Sequence, residues 1–137
     1  MTVFALAIGV LLALAVGLMA TVVGLDRERS FYPTVTIVVA SYYVLYAVLG
    51  GSTHALVIEA MVFLAFWAAA VWGFRSSLWL VSAALAAHGL LDFVHDALVF
   101  NPGLPSWWPS FCAGYDIAAA FYCAWVLKTG RARARAE

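Results

Sequence analysis

His88, Asp92, His95 and Asp96 stand within nine positions of a segment, HGLLDFVHDALVF (88–100), that is otherwise apolar. At about 100° per residue, His88, Asp92 and His95 fall within about 60° of one another on a helix, and Asp96 lies about 40° from Asp92. Imidazole nitrogens and a carboxylate at i, i+4 and i+7 are ligands for a mixed nitrogen and oxygen site, of the kind that takes Zn, Mn or Fe. Bundle metal sites use similar spacings projecting inward. The pattern makes His88, Asp92 and His95 metal-ligand candidates, with a divalent ion as the implied cofactor. His88 and His95 lie about 10 Å apart along such a helix, so one ion, two ions, or one ion backed by an Asp–His pair all fit.

Three further carboxylates, Glu59, Asp96 and Asp116, are candidates for catalytic work beside such a site. They would complete coordination or act as general base on a bound water. The alternative readings are a metal-free pocket, in which His–Asp pairs serve as acid and base toward a small or lipid-like molecule, and a structural subunit of a larger membrane complex, in which the cluster fixes helix register. Whether the chain is an enzyme stays open between them.

The elements that must position these residues follow from composition. Of 137 residues, 66% are hydrophobic and 10% charged, against about 25% charged in a soluble domain, and the mean hydropathy is +1.01. Too little polar surface exists to coat a water-soluble globule, so the expected fold is all-α, a polytopic membrane protein over 1–137. Five apolar segments are each long enough to cross a ~30 Å hydrocarbon core as a helix, at about 2–25, 34–51, 55–74, 78–100 and 109–128. Open sheet edges have no place in lipid. The first run lacks a basic leader segment and exceeds the usual apolar length of a signal peptide, so it reads as a retained span. Its Gly9, Ala13, Gly17 and Thr21 at steps of four predict a close-packing face. Pro109 suits the first turn of the last helix.

All seven basic residues (Arg27, Arg29, Arg75, Lys128, Arg131, Arg133 and Arg135) fall in the first loop, the third loop, and the end of the last span with its 129–137 tail. These are one side of a five-span bundle. The positive-inside rule then predicts the N-terminus outside and the C-terminus cytoplasmic. Asp26, Glu28 and Glu137 share the basic side, whereas Glu59, Asp92, Asp96 and Asp116 lie inside spans, in the outer half of the membrane with His88 and His95. His54 reads as an interfacial end of the third span. Tyr42 and Tyr46 can present hydroxyls to the cluster, although tyrosines near an interface more often belong to the aromatic belt. Cys112 and Cys123, about 16 Å apart along one helix, cannot bridge each other. On an insertion scale the two aspartates nearly cancel the apolar residues of 78–100, so that segment needs partners inside the bundle.

HGLLDFVHD followed by NPGLPSWWPSFCAGYD resembles a pattern in a family of small bacterial integral membrane proteins. There, a His-x3-Asp-x2-His helix precedes a Pro-x-Trp-Trp-x-x-Phe-Cys-x-x-Tyr-Asp stretch. The likeness covers about a third of the chain and brings no activity with it. It implies that His88, Asp92, His95, Cys112 and Asp116 belong to one constellation. The expected location is the bacterial inner membrane. The expected partners are the lipid bilayer and a homo-oligomer or larger membrane complex, with no nucleic acid.

Overall fold

A computed structural model describes residues 2–135, so Glu137 lies outside the described residues. The described residues are all-helical, with 79% of them in helix. Six α-helices follow in order among the described residues, with a short 3-10 helix (Leu25–Arg27) after the first: α1 (Val3–Val23), α2 (Phe31–Leu49), α3 (Thr53–Arg75), α4 (Leu78–Asp92), α5 (His95–Leu98) and α6 (Trp108–Lys128). Four of them, α1, α2, α3 and α6, are long and apolar enough to cross a membrane. Their outer faces carry Leu11, Leu18, Leu64 and Phe121, all exposed. Small residues point inward, the reverse of a soluble helix and the pattern expected in lipid.

The ends of the helices have local causes. Ser52 caps α3 by accepting from the Ala55 amide at 3.1 Å, satisfying one of the donors a helix start leaves open. Pro109 sits in the first turn of α6, where its missing N–H costs no bond. Gly24 at φ +85° and Gly51 at φ +65° make the turns after α1 and α2, a left-handed conformation that glycine adopts without strain.

Span four departs from the single helix expected over 78–100. It stops at Asp92, turns through Phe93 and Val94, and resumes for four residues as α5. At about 1.5 Å per residue, α4 is only ~22 Å long. The break lies next to the ionisable cluster and close to the irregular 99–107 segment. Local hydrogen bonds bridge the break: the Val94 amide donates to the Leu91 carbonyl at 3.0 Å and the Ala97 amide to the Val94 carbonyl at 3.1 Å. Its consequence is that His95 leaves the stripe of His88 and Asp92.

α1 packs chiefly on α6, α6 on α4, and α3 on α2, with α4 also touching α2 and α3. The α1–α6 pair is closest. A methyl group added at Gly9 would stand 2.1 Å from the Phe111 carbonyl oxygen, and one at Gly114 would stand 2.2 Å from that of Leu6. The buried stripe of α1, namely Ala5, Gly9, Ala13, Gly17 and Ala20, contains three of the four residues of the expected packing face.

The two ends of the bundle differ in chemistry. At one end the basic residues gather and the tail folds back under the helices. Arg131 Nε donates to Asp26 Oδ2 at 3.0 Å, the Leu78 amide donates to the Ala134 carbonyl at 2.7 Å, and Arg29 donates to the Phe74 carbonyl at 2.7 Å and to the Arg133 carbonyl. An apolar core including Leu78, Val81, Leu85, Cys123 and Val126 fills the adjoining half. The other half holds the buried ionisable residues Glu59, His88, Asp92, His95 and Asp116, which α3, α4, α5 and α6 bring together.

Candidate functional site

Asp116 sits on α6 between Cys112 and Ala119, in a stripe that turns inward because each member is small or polar enough to meet a neighbouring helix. All three are buried, as is Cys123 one turn further. Facing it on α4, His88 Nδ1–H donates to Asp116 Oδ2 at 2.6 Å and lies 3.6 Å from Asp92 Oδ2. Gly89 allows the approach: a methyl group there would meet Ile117 at 2.8 Å and Asp116 Cβ at 3.2 Å. His88, Asp92 and Asp116 each offer one ligand atom such that all three lie within 4.8 Å of one another. None is more than 3% exposed.

Tyr43 closes the group from α2. Its hydroxyl donates to Asp92 Oδ1 at 2.6 Å, and Phe66 from α3 sets its ring edge-on to His88 at 4.7 Å. Two oxygens remain unanswered. Asp92 Oδ2 and Asp116 Oδ1 are buried and have no hydrogen-bond partner among the described residues. Buried carboxylate oxygens without a partner are expensive, and no lysine or arginine reaches this half of the bundle.

The remaining candidates form a second group. His95 Nε2–H donates to Glu59 Oε1 at 2.9 Å. Asn101 Nδ2 donates to the same oxygen at 3.1 Å and to the Tyr43 carbonyl at 3.1 Å. Glu59 occupies the inward face of α3 with Ala55, Ala70 and Gly73. Asp96, adjoining His95, points outward with a 71% exposed side chain, its Oδ1 3.7 Å from His95 Nδ1. The Tyr43 ring separates the two groups, 5.8 Å from His88 and 4.4 Å from His95 between centroids. The structure thus brings His88 and Asp92 together with Asp116, pairs His95 with Glu59, and leaves Asp96 at the surface.

No family model, curated protein or solved structure matches this chain. The site is therefore read from its own chemistry. Two of its members escaped the sequence. Tyr43, rather than Tyr42 or Tyr46, reaches the acids; the other two tyrosine rings stack on Trp108 at 5.1 and 5.0 Å. The signal was present, because Tyr43 continues the buried stripe of Thr36, Ala40 and Ala47 at helical spacing. Asn101 is the only side-chain amide in the sequence, a rarity that marks it in so apolar a chain. His54 is exposed at the start of α3, where an interfacial end was expected.

One nitrogen and two carboxylate oxygens form a donor set suited to Zn, Mn or Fe. Tetrahedral ligands bonded at about 2.1 Å to one ion lie roughly 3.4 Å apart, so the triad, whose ligand atoms lie within 4.8 Å of one another, would have to draw in around an ion. Three protein ligands also leave a fourth position open, as catalytic centres do.

Proposed function

We propose that this chain is a multi-pass bacterial inner-membrane protein that binds a divalent ion, Zn, Mn or Fe, through His88, Asp92 and Asp116, for catalysis or transport. The chain crosses the bilayer five times, with its N-terminus outside and its C-terminus cytoplasmic, so the site lies in the outer half of the membrane. The segregation of every basic residue to one end supports that orientation, and the resemblance across 88–116 supports the bacterial setting. The observation that carries the metal reading is the pair of buried, unpartnered oxygens on Asp92 and Asp116. A cation between them balances charge that His88 alone leaves in excess.

When bound, such an ion supplies Lewis-acid activation of a water or an oxygen ligand at its open position. The chain's own residues do the rest. Tyr43 holds Asp92 in one orientation through its hydroxyl. The Glu59–His95 pair stands across the Tyr43 ring as a separate acid–base unit, with Asp96 beside it at the surface.

Elemental analysis of protein purified without a polyhistidine tag tests the reading. The expected result is one transition metal ion per chain in wild type and its loss in His88→Ala and Asp116→Asn. A wild-type protein free of metal, or equal metal in these variants, sinks it. A metal-free alternative has its own support: His88 Nδ1, the nitrogen an ion would take, already donates to Asp116 at 2.6 Å. In that reading a protonated His88 shared between two carboxylates performs proton transfer.

A further inference from the structure

The Glu59–His95–Asn101 group lies outside the triad, yet the segment it holds begins at a triad residue. α4 ends at Asp92, and the chain runs on through Phe93, Val94 and α5. It is fixed again at Gly103, where the backbone packs so closely on the Tyr46 carbonyl and on Gly50 that a Cβ would collide with them. Between these two anchors the chain forms a strap across the site end of the bundle.

Across 93–101 only His95 and Asn101 are buried. Phe93, Val94, Leu98 and Phe100 are exposed, so the strap buries little apolar surface against the helices. Its two buried side chains end on one atom: His95 Nε2–H and the Asn101 amide both donate to Glu59 Oε1, at 2.9 and 3.1 Å. Asn101 also donates to the Tyr43 carbonyl at 3.1 Å. A segment with few buried apolar contacts and a few polar ties opens at a free energy well below that of the whole fold. Opening this one lifts the His95 ring off Tyr43, 4.4 Å away between centroids, and Tyr43 is the residue that holds Asp92.

We propose that residues 93–101 are a gate over the triad, held shut by Glu59 as its latch, through which the ion enters and leaves. The passage of an ion rests on the metal reading above; the latch does not.

The gate must open for entry and for exit alike. Loosening the latch therefore raises the rates of metal uptake and release by one factor and leaves their ratio, the affinity, unchanged. The test has two readouts on protein in detergent. The first needs no metal: hydrogen–deuterium exchange of the Ala97 and Val99 amides, which donate to the Val94 and His95 carbonyls, with the amides of α6 as reference for an intact fold. Asn101→Ala should speed exchange at both about tenfold, the scale of one hydrogen bond lost, and Glu59→Leu should speed it further. Glu59→Gln keeps an acceptor oxygen and Asp96→Asn alters an exposed side chain, so both should exchange as wild type. The second readout is the uptake of zinc and its release to a chelating dye. Both rates should rise by the same factor in Asn101→Ala, with affinity as in wild type. Asn101→Ala is the milder change and keeps the comparison decisive if Glu59→Leu fails to fold. Unchanged amide exchange in Asn101→Ala overturns the latch. Faster amide exchange with unaltered zinc rates, or with altered affinity, overturns the gate. A wild type that takes up no zinc sinks the metal reading and the ion's passage with it, while amide exchange still decides the latch.

Discussion

The Tyr43 hydroxyl donates to Asp92 Oδ1 at 2.6 Å, leaving Asp92 Oδ2 turned toward His88 Nδ1 at 3.6 Å. One oxygen is thereby held and the other is presented. If the triad binds an ion, Tyr43 orients a ligand without touching the metal. Tyr43→Phe should lower metal affinity about 10–100-fold, the usual cost of losing an outer hydrogen bond to a ligand. Tyr42→Phe and Tyr46→Phe, whose rings stack on Trp108, should leave affinity unchanged. Competition with a chelating dye measures all three, and equal affinities across the set would remove Tyr43 from the site.

His88 and Asp116 join α4 to α6 through a buried contact of 2.6 Å. Breaking a buried pair by deleting one partner costs about 3–5 kcal/mol, because the other is left charged and alone. Asp116→Ala should therefore be strongly destabilising in detergent unfolding measurements on metal-free protein. Replacing both residues together, as His88→Leu with Asp116→Leu, should recover most of that loss while abolishing metal binding. A double variant as unstable as the single one would show that the pair matters for packing rather than for charge.

Most of this site was legible in the sequence, and the misplacement of His95 has one cause. Glu59, Asp116 and Cys112 face inward because their helices are regular, so phase alone places them. His95 does not follow its phase, since α4 ends at Asp92 and the chain turns before His95 is reached. Periodicity cannot see that break: Phe93 and Val94 are as apolar as any helix interior. The gain from the break is tertiary, a carboxylate on α3 for His95 Nε2 at 2.9 Å. Orientation of the tail was equally hidden. RARARAE reads as a solvated basic end, yet Ala132 is 4% exposed and the Ala134 carbonyl caps the start of α4. Composition marks the side of the membrane; only packing shows the fold-back.

Gly9 sets the distance between α1 and α6. Its Cα faces the Phe111 carbonyl so closely that any Cβ must push the helices apart. Gly9→Ala should destabilise the protein by about 1–3 kcal/mol, the usual range for overpacking, read as a lower thermal midpoint in detergent. Ala7→Val, on the exposed face of the same helix, should have no comparable effect. Equal midpoints for the two variants would contradict the close contact.

Asp26 ties the tail to the bundle. Burial pushes its carboxyl up, but hydrogen bonds from Arg131 and Thr21 and the charges of Arg131 and Arg27 outweigh this and hold it below its ordinary value of 3.8. A carboxyl lowered by folding stabilises the folded form fully above that ordinary value, and the contribution fades as pH falls through the lowered one. The tail should stay docked at neutral pH and through mild acid, and loosen only below the ordinary carboxylate range. Asp26→Asn should mimic that release at neutral pH. Limited trypsin digestion is the readout, with cleavage after Arg131 several-fold faster in the variant. A digestion rate equal to wild type would mean that the Leu78–Ala134 bond holds the tail without the ion pair.

The asymmetry of charge makes the orientation testable by chemistry at single positions. Cys112 and Cys123 are buried, so an introduced cysteine on an exposed loop reports alone. Ser106 lies exposed at the charge-free end and Lys128 exposed at the basic end. Positive charge is retained on the cytoplasmic side, and removing Lys128 leaves six of seven basic residues to hold the orientation. A membrane-impermeant maleimide added to intact spheroplasts should label Ser106→Cys and not Lys128→Cys, and permeabilisation should reverse the protection of the second. Ser106 and Lys128 flank α6, which is long and apolar enough to cross a membrane, so a crossing there puts them on opposite faces. Labelling of both from outside would refute the fifth crossing, and labelling of Lys128→Cys alone would invert the protein and place the His88–Asp92–Asp116 site in the cytoplasmic half.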